Sequence, residues 1–175
     1  MARDYLKSEG VTSALIDLGG NVVVFGGRAE RGERERSQWN IGIQYPSEPR
    51  GTPICTLKIH DGSVITAGVY ERYWEADGIR YTHILDPSDG RPIEGPLKSV
   101  TIVSNDPAQG DALSTAFMVM GEYRSLELLQ LIPGCDAVFI SEDENGEYRI
   151  LATEGLRGSL TPMPGGAPIE FRNVR

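Results

Sequence analysis

Apolar residues recur along this chain with two periods, and the switches between them map the elements. Short runs rich in β-branched residues predict strands at 13–18 (SALIDL), 21–25 (NVVVF), 39–44 (WNIGIQ), 52–59, 62–69, 98–104, 137–141 and 148–151. Gly19-Gly20 and His60-Asp61-Gly62 supply tight turns between neighbouring strands, and runs 71–74 and 79–85 predict a hairpin turning at Asp77-Gly78. Asp86 to Gly90 (DPSDG) is a further turn cluster. Helical spacing dominates only in 109–121 (QGDALSTAFMVMG), where Leu113, Ala116, Phe117 and Met120 form one stripe. Asn105-Asp106-Pro107 opens that helix with a capping acid and a proline at its first position, and Gly121 closes it. A second short helix is expected at 125–131, stopped by Pro133-Gly134. The opening MARDYLKSEG reads as the tail of an amphipathic helix ending at Gly10, so the chain is expected to be the later part of something longer. Strands interrupted by a few helices, without regular βαβ alternation, give an α+β fold. The expected division is one unit over 1–154 and an irregular tail, rich in Gly and Pro, over 155–175.

Within the helix at 109–121, Asp111 and Thr115 are one turn apart and lie opposite the centre of the apolar stripe. A helix apolar nearly all round is expected to be buried, and a buried carboxylate must be paired or bound to a cation. A carboxylate and a hydroxyl at i, i+4 offer two hard oxygens, suited to magnesium or calcium. The other reading is a hydrogen-bonded Asp–Thr pair on a partly solvated face.

Composition narrows the classes. At 175 residues the chain fits one domain, and its net charge of -8 argues against a nucleic-acid surface. No run approaches the apolar length of a membrane span, and no signal peptide is visible. Cys55 and Cys135 show no metal-like spacing and are expected as buried free thiols. The charged run at 26–38 reads as a solvated hairpin loop. Of the two histidines, His60 falls in a turn and is expected in solvent. His83 ends the strand YTHIL beside the DPSDGRP turn, where it is either structural or held over a cleft. Gly19-Gly20-Asn21 and Thr66-Ala67-Gly68 each have two readings, as a turn or bulge, or as backbone facing a ligand. Neither is a GxGxxG or Walker loop.

Taken in order, ALIDLGGNVVVFG, WNIGIQYP, VITAGVYERYW, YTHILDPSDGRPI and GDALSTAFMVMG resemble the successive motifs of the FAD:protein FMN transferases, the ApbE family, over roughly residues 1–152. The resemblance implies an ApbE-like α+β fold, present here as its C-terminal half and a partial domain. It implies magnesium-dependent cleavage of the FAD pyrophosphate, with FMN transferred to a Thr or Ser hydroxyl of an acceptor protein and AMP released. Asp111 and Thr115 would be metal ligands, His83 a catalytic residue over the flavin, and Gly19, Gly20, Asn21, Thr66, Gly68 and His83 the FAD-binding residues. We add the hypothesis that a neutral His83 takes the acceptor's proton.

The implied partners are FAD and an acceptor in a respiratory electron-transfer complex. The implied place is the cell envelope, with membrane attachment only through a lipid anchor outside this chain. Two alternatives stand beside transfer: magnesium-dependent hydrolysis of FAD to FMN and AMP, and a non-catalytic flavin-binding fragment. The chain departs from the family pattern at Asp17, where asparagine is usual, at Ala67, where serine is usual, and at Thr82, often a histidine. The family's N-terminal half, with its glycine-rich segment and third metal ligand, has no counterpart here. Edges left open by that half are expected to favour self-association.

Overall fold

The computed structural model describes residues 2–28 and 36–174. Helix α1 (Ala2–Ser8) precedes strands β1 (Ala14–Asp17), β2 (Asn21–Phe25), β3 (Trp39–Gln44), β4 (Pro53–Ile59) and β5 (Gly62–Gly68). The hairpin β6 (Tyr73–Ala76) and β7 (Ile79–Thr82) follows, then β8 (Leu97–Ser104) and helix α2 (Pro107–Leu129). Strands β9 (Asp136–Glu142), β10 (Tyr148–Thr153), β11 (Leu160–Pro162) and β12 (Ile169–Arg172) complete the described chain.

A seven-stranded sheet in the order β1-β2-β5-β8-β9-β10-β12 divides the molecule. Its strands are antiparallel except β12, which runs parallel to β10. Alternation sends side chains to two cores. On one face, Val24, Val64, Val138, Ile140, Ile150 and Ala152 pack against Ile41, Ile43, Ile54 and Leu57 of a three-stranded sheet ordered β11-β4-β3. On the other, Val100, Ile102, Phe139 and Leu151 pack against Phe117, Met118, Leu126 and Leu129 of α2. Phe117 and Phe139 stack at 6.3 Å between ring centroids. The result is a layered α+β fold, as the run of elements implies.

Two expectations change and one, at Gly121, is met. The tail from residue 155 is not irregular: β11 pairs with β4 and β12 forms an edge of the large sheet. Its Gly and Pro residues occupy the connections, while Leu160, Ile169 and Phe171 supply the packing. The two helices expected on either side of Gly121 are present within α2, broken at Gly121, whose φ of 75° and ψ of 170° suit glycine. Ser125 Oγ donates to the Gly121 carbonyl at 2.6 Å, satisfying an acceptor at the break. Finally, the buried face of α2 is rotated from the stripe read in the sequence. Gly110, Ser114, Phe117 and Met118 are buried, roughly a quarter-turn from the centre of Leu113, Ala116, Phe117 and Met120.

Both cysteines are free and buried, as expected. His60 is exposed beside Asp61, whose carboxyl is held below its ordinary range chiefly by the His60 hydrogen bond. Most of the charged run lies outside the described residues; near its ends, Arg28 and Ser37 form an antiparallel bridge. Among the described residues no helix is long and apolar enough to cross a membrane.

Candidate active site

The rotation of α2 explains where Asp111 sits. Gly110 lies against β5, where a Cβ would stand 2.9 Å from Ile65 Cγ1, so only glycine lets the helix come this close. The next residue is thereby placed at the shoulder of the contact, and both Asp111 and Thr115 are exposed. The expectation of a buried carboxylate is therefore corrected: the helix buries its small residues and turns the Asp–Thr pair outward. Asp106 starts the helix, its Oδ1 accepting from Ala108 N at 2.9 Å and Gln109 N at 3.4 Å. Ser114 Oγ donates to the Asp111 carbonyl at 3.0 Å, which frees no apolar surface but fixes the turn carrying Asp111.

Across from it, the β1–β2 hairpin turns at Gly19 and Gly20, with φ of 74° and 100°. Two successive positive φ angles match the right-handed twist of the flanking strands. Asp17 Oδ1 accepts from Gly20 N at 2.8 Å, and Leu18 N donates to Asn21 O at 3.1 Å. Asn21 opposes Ile65 in the ladder and shares its face, toward α2. Its Nδ2 donates to Asp111 Oδ1 at 3.1 Å, joining residues 90 positions apart. Asp17 thus braces the glycine turn, a role the sequence did not disclose.

The remaining candidates lie on other elements, in β5 and just after β7. Thr66, Ala67 and Gly68 pair in regular register with Thr101, Val100 and Ser99, so this segment is not a bulge. Thr66 Oγ1 is hydrogen-bonded to Thr101 Oγ1 at 2.8 Å. Thr66 and Gly68 share the face of Val64, away from α2, and a Cβ on Gly68 would meet the Tyr70 ring at 2.8 Å. Glycine here makes room for an aromatic of the same chain. Burial pushes the Tyr70 phenol up to about 12.

His83 follows β7, which ends at Thr82 rather than continuing through YTHIL. The backbone N–H of His83 donates to the Arg72 carbonyl at 3.1 Å, and Nδ1 lies 2.8 Å from the same oxygen. A carbonyl only accepts, so Nδ1 carries the proton and Nε2 keeps its lone pair in the neutral ring. The ring is exposed and held at the base of the β6–β7 hairpin. On its far side the DPSDG turn is self-braced: Asp86 Oδ1 accepts from Ser88 N at 2.8 Å, and Gly90 N donates to Asp86 O at 2.8 Å. Hydrogen bonds from Ser88, side chain and backbone, hold the Asp86 carboxyl below its ordinary range.

A broad hollow of about 1040 Å³ opens at the end of the large sheet, lined by Tyr70, Thr82, Lys98, Met118, Glu122 and Arg149 among others. None of the candidate residues lines it. Within it Lys98 pairs with Glu142 at 3.2 Å and Arg149 with Glu122, while Glu94, Asp143 and Glu147 add further carboxylates. The Asn21–Asp111–Thr115 face, in contrast, exposes a carboxylate and a hydroxyl, donor atoms of the kind a hard cation takes. Among the described residues no group of three or more His, Cys, Asp or Glu side chains stands ready for a metal. One carboxylate and one hydroxyl could supply two oxygen ligands to a hard divalent cation.

Comparison with known proteins bears on this arrangement. The sequence model of the ApbE family matches residues 1–139. An FAD:protein FMN transferase of Treponema pallidum is 39% identical over 154 residues, 86% of this chain and 41% of that protein. One from Klebsiella pneumoniae is 35% identical over 164 residues, 94% of this chain and 47% of its own length. The crystal structure of the ApbE protein of Thermotoga maritima superposes with a TM-score of 0.64 at 34% identity, covering 78% of this chain and 42% of that one. The flavin transferase ApbE of Vibrio cholerae superposes with a TM-score of 0.70 at 29% identity, covering 89% and 47%. The chain therefore spans under half the length of these relatives, and within that span sequence and fold agree: it belongs to the ApbE family.

Proposed function

We propose that this chain supplies the metal-binding and base-bearing part of an FAD:protein FMN transferase. The observation that carries the reading is the Asn21–Asp111 hydrogen bond, which joins the LGGN hairpin to the DALST helix at one exposed face. Asp111 and Thr115 would hold magnesium there. A magnesium ion held by these residues would supply neutralisation of the pyrophosphate charge.

The chain's own groups account for the proton. An acceptor Thr or Ser hydroxyl attacks the FMN-side phosphorus, the bond to the bridging oxygen breaks, and that oxygen leaves with AMP. The hydroxyl proton goes to His83 Nε2, the nitrogen left basic by the Arg72 carbonyl. Exposure of His83 lets a protein substrate reach it. Glycines 19 and 20 carry no side chain into the approach to Asn21, and nothing within 4 Å of their Cβ positions obstructs a ligand. By the same reading the acceptor sits in a respiratory electron-transfer complex at the cell envelope, and a lipid anchor lies outside this chain.

The test is incubation with FAD, magnesium and an acceptor domain, read by flavin fluorescence of the denatured acceptor and by AMP release. Transfer predicts a covalent flavin adduct and AMP in equal amounts. AMP with free FMN supports hydrolysis. Neither product, from this chain alone and from the chain joined to a family N-terminal half, rejects the reading.

A further inference from the structure

Asn21 is fixed from three directions before it meets Asp111. Asp17 accepts the N–H of Gly20 immediately before it, and its own carbonyl accepts from Leu18. Pairing with Ile65 then sets its side chain on the face toward α2. The helix, in turn, is brought to Ile65 by the missing side chain of Gly110, one residue before Asp111. Two separate close approaches, turn and helix, thus end at one hydrogen bond. A carboxylate only accepts, so the Asn21 amide must present its NH2 group. That bond occupies Oδ1, and Oδ2 has no hydrogen-bond partner among the described residues.

Resting on the metal-site reading above, we infer that Asn21 is a positioning residue for Asp111: it holds Oδ1 so that Oδ2 faces the cation. This assigns the asparagine of the LGGN turn to the metal ligand rather than to the flavin. Its loss leaves the carboxylate free to rotate and to spend both oxygens on water. Groups that orient a metal ligand in this way typically account for 10–100-fold in metal affinity, and an exposed site belongs at the lower end, roughly 10-fold.

The experiment uses Mn²⁺ as the probe, with binding to the whole chain followed by electron paramagnetic resonance of the free ion. Wild type, Asn21→Leu, Asp111→Ala and the double variant are compared, with urea unfolding as a check on each fold. Leucine keeps the branched heavy-atom outline of asparagine and removes the donor. The expected result is an affinity loss of roughly 10-fold in Asn21→Leu and no additional loss in the double variant over Asp111→Ala. Unchanged affinity in Asn21→Leu overturns the positioning role alone. An equal loss in the Asp111→Ala background also overturns it, in favour of a direct contact with the ligand. A wild-type chain that takes up no Mn²⁺ overturns the metal-site reading and this inference with it. Should the leucine variant unfold, the side-chain amide resonances of Asn21 in the wild type decide: they must shift on Mg²⁺ addition at the concentrations that displace Mn²⁺, and their silence overturns the inference.

Discussion

Replacing Gly110 by alanine tests whether helix approach and site geometry are one thing. An alanine methyl would lie 2.9 Å from Ile65 Cγ1, 3.4 Å from Ile65 Cβ and 3.5 Å from Ser104 Oγ. Ile65 is 1% exposed and has nowhere to go. Restoring ordinary carbon contact requires α2 and β5 to separate by about 0.6–1 Å. The same displacement takes the Asn21–Asp111 distance from 3.1 Å beyond about 3.5 Å, where the hydrogen bond is lost. Overpacking costs about 1–3 kcal/mol. Alanine returns about 1 kcal/mol of helix propensity. The net expectation is a loss of roughly 0–2 kcal/mol in urea unfolding, accompanied by the Mn²⁺ affinity loss expected for Asn21→Leu. Ala112→Gly, on the exposed side of the same turn, measures the propensity term in place and should leave Mn²⁺ affinity nearly unaltered. A Gly110→Ala chain that gains stability by the full propensity increment and keeps its Mn²⁺ affinity refutes the reasoning, because the helix would then not be seated on that glycine.

Other substitutions probe other parts of the argument. His83→Asn should cut FMN transfer roughly 10²–10⁴-fold while leaving Mn²⁺ uptake intact; unchanged transfer and an unchanged pH profile would end the base assignment. Asp17→Asn retains an oxygen acceptor for Gly20 N–H and should unfold near wild type, whereas Asp17→Ala should lose roughly 0.5–1 kcal/mol, both by urea titration. Burial raises the Cys55 thiol from an ordinary 9.0 to about 12. The folded state therefore keeps its proton where the unfolded state loses it, so this contribution is intact below about pH 9 and erodes as pH rises toward 12. Urea midpoints between pH 8 and 10.5 should fall less steeply in Cys55→Ala than in wild type. Deleting residues 168–175 removes β12, bares the β10 edge and takes Phe171 and Val174 from the two cores; light scattering should show aggregation at concentrations where the full chain stays clear.

How far the sequence was legible depends on what each residue shows without its neighbours. Strands such as NVVVF and LKSVTIVS carry their own pattern, and their observed bounds differ little from those expected. The face of α2 does not announce itself, because Gly110 and Ser114 are buried for their small size, not for apolarity. An apolar stripe was legible; the neighbour that selects among the possible stripes was not. The sequence accordingly leaves Asp111 either buried or on a partly solvated face, and the fold exposes it. β12 was hidden because its alternation, IEFR, is short and preceded by glycines and prolines, and only an existing β10 edge gives it a place. The union of Asn21 with Asp111 lies outside any local period. Resemblance to a family put both residues in one site, but the hydrogen bond between them, and the brace from Asp17, needed the fold.

The pairing of β11 with β4 has a consequence for how the chain is made. Leu160 meets Leu57 about a hundred residues later in synthesis. At roughly 5–20 residues per second, β4 emerges with that edge open for about 5–20 s. Its sequence, PICTLKI, is apolar enough to recruit another nascent chain during that interval. Lys58, exposed within the strand, places a charge beside the open edge. The vulnerable period of this protein is thus set by the translation rate, and slowing the ribosome between β4 and β11 should lower the soluble yield without altering the stability of what folds.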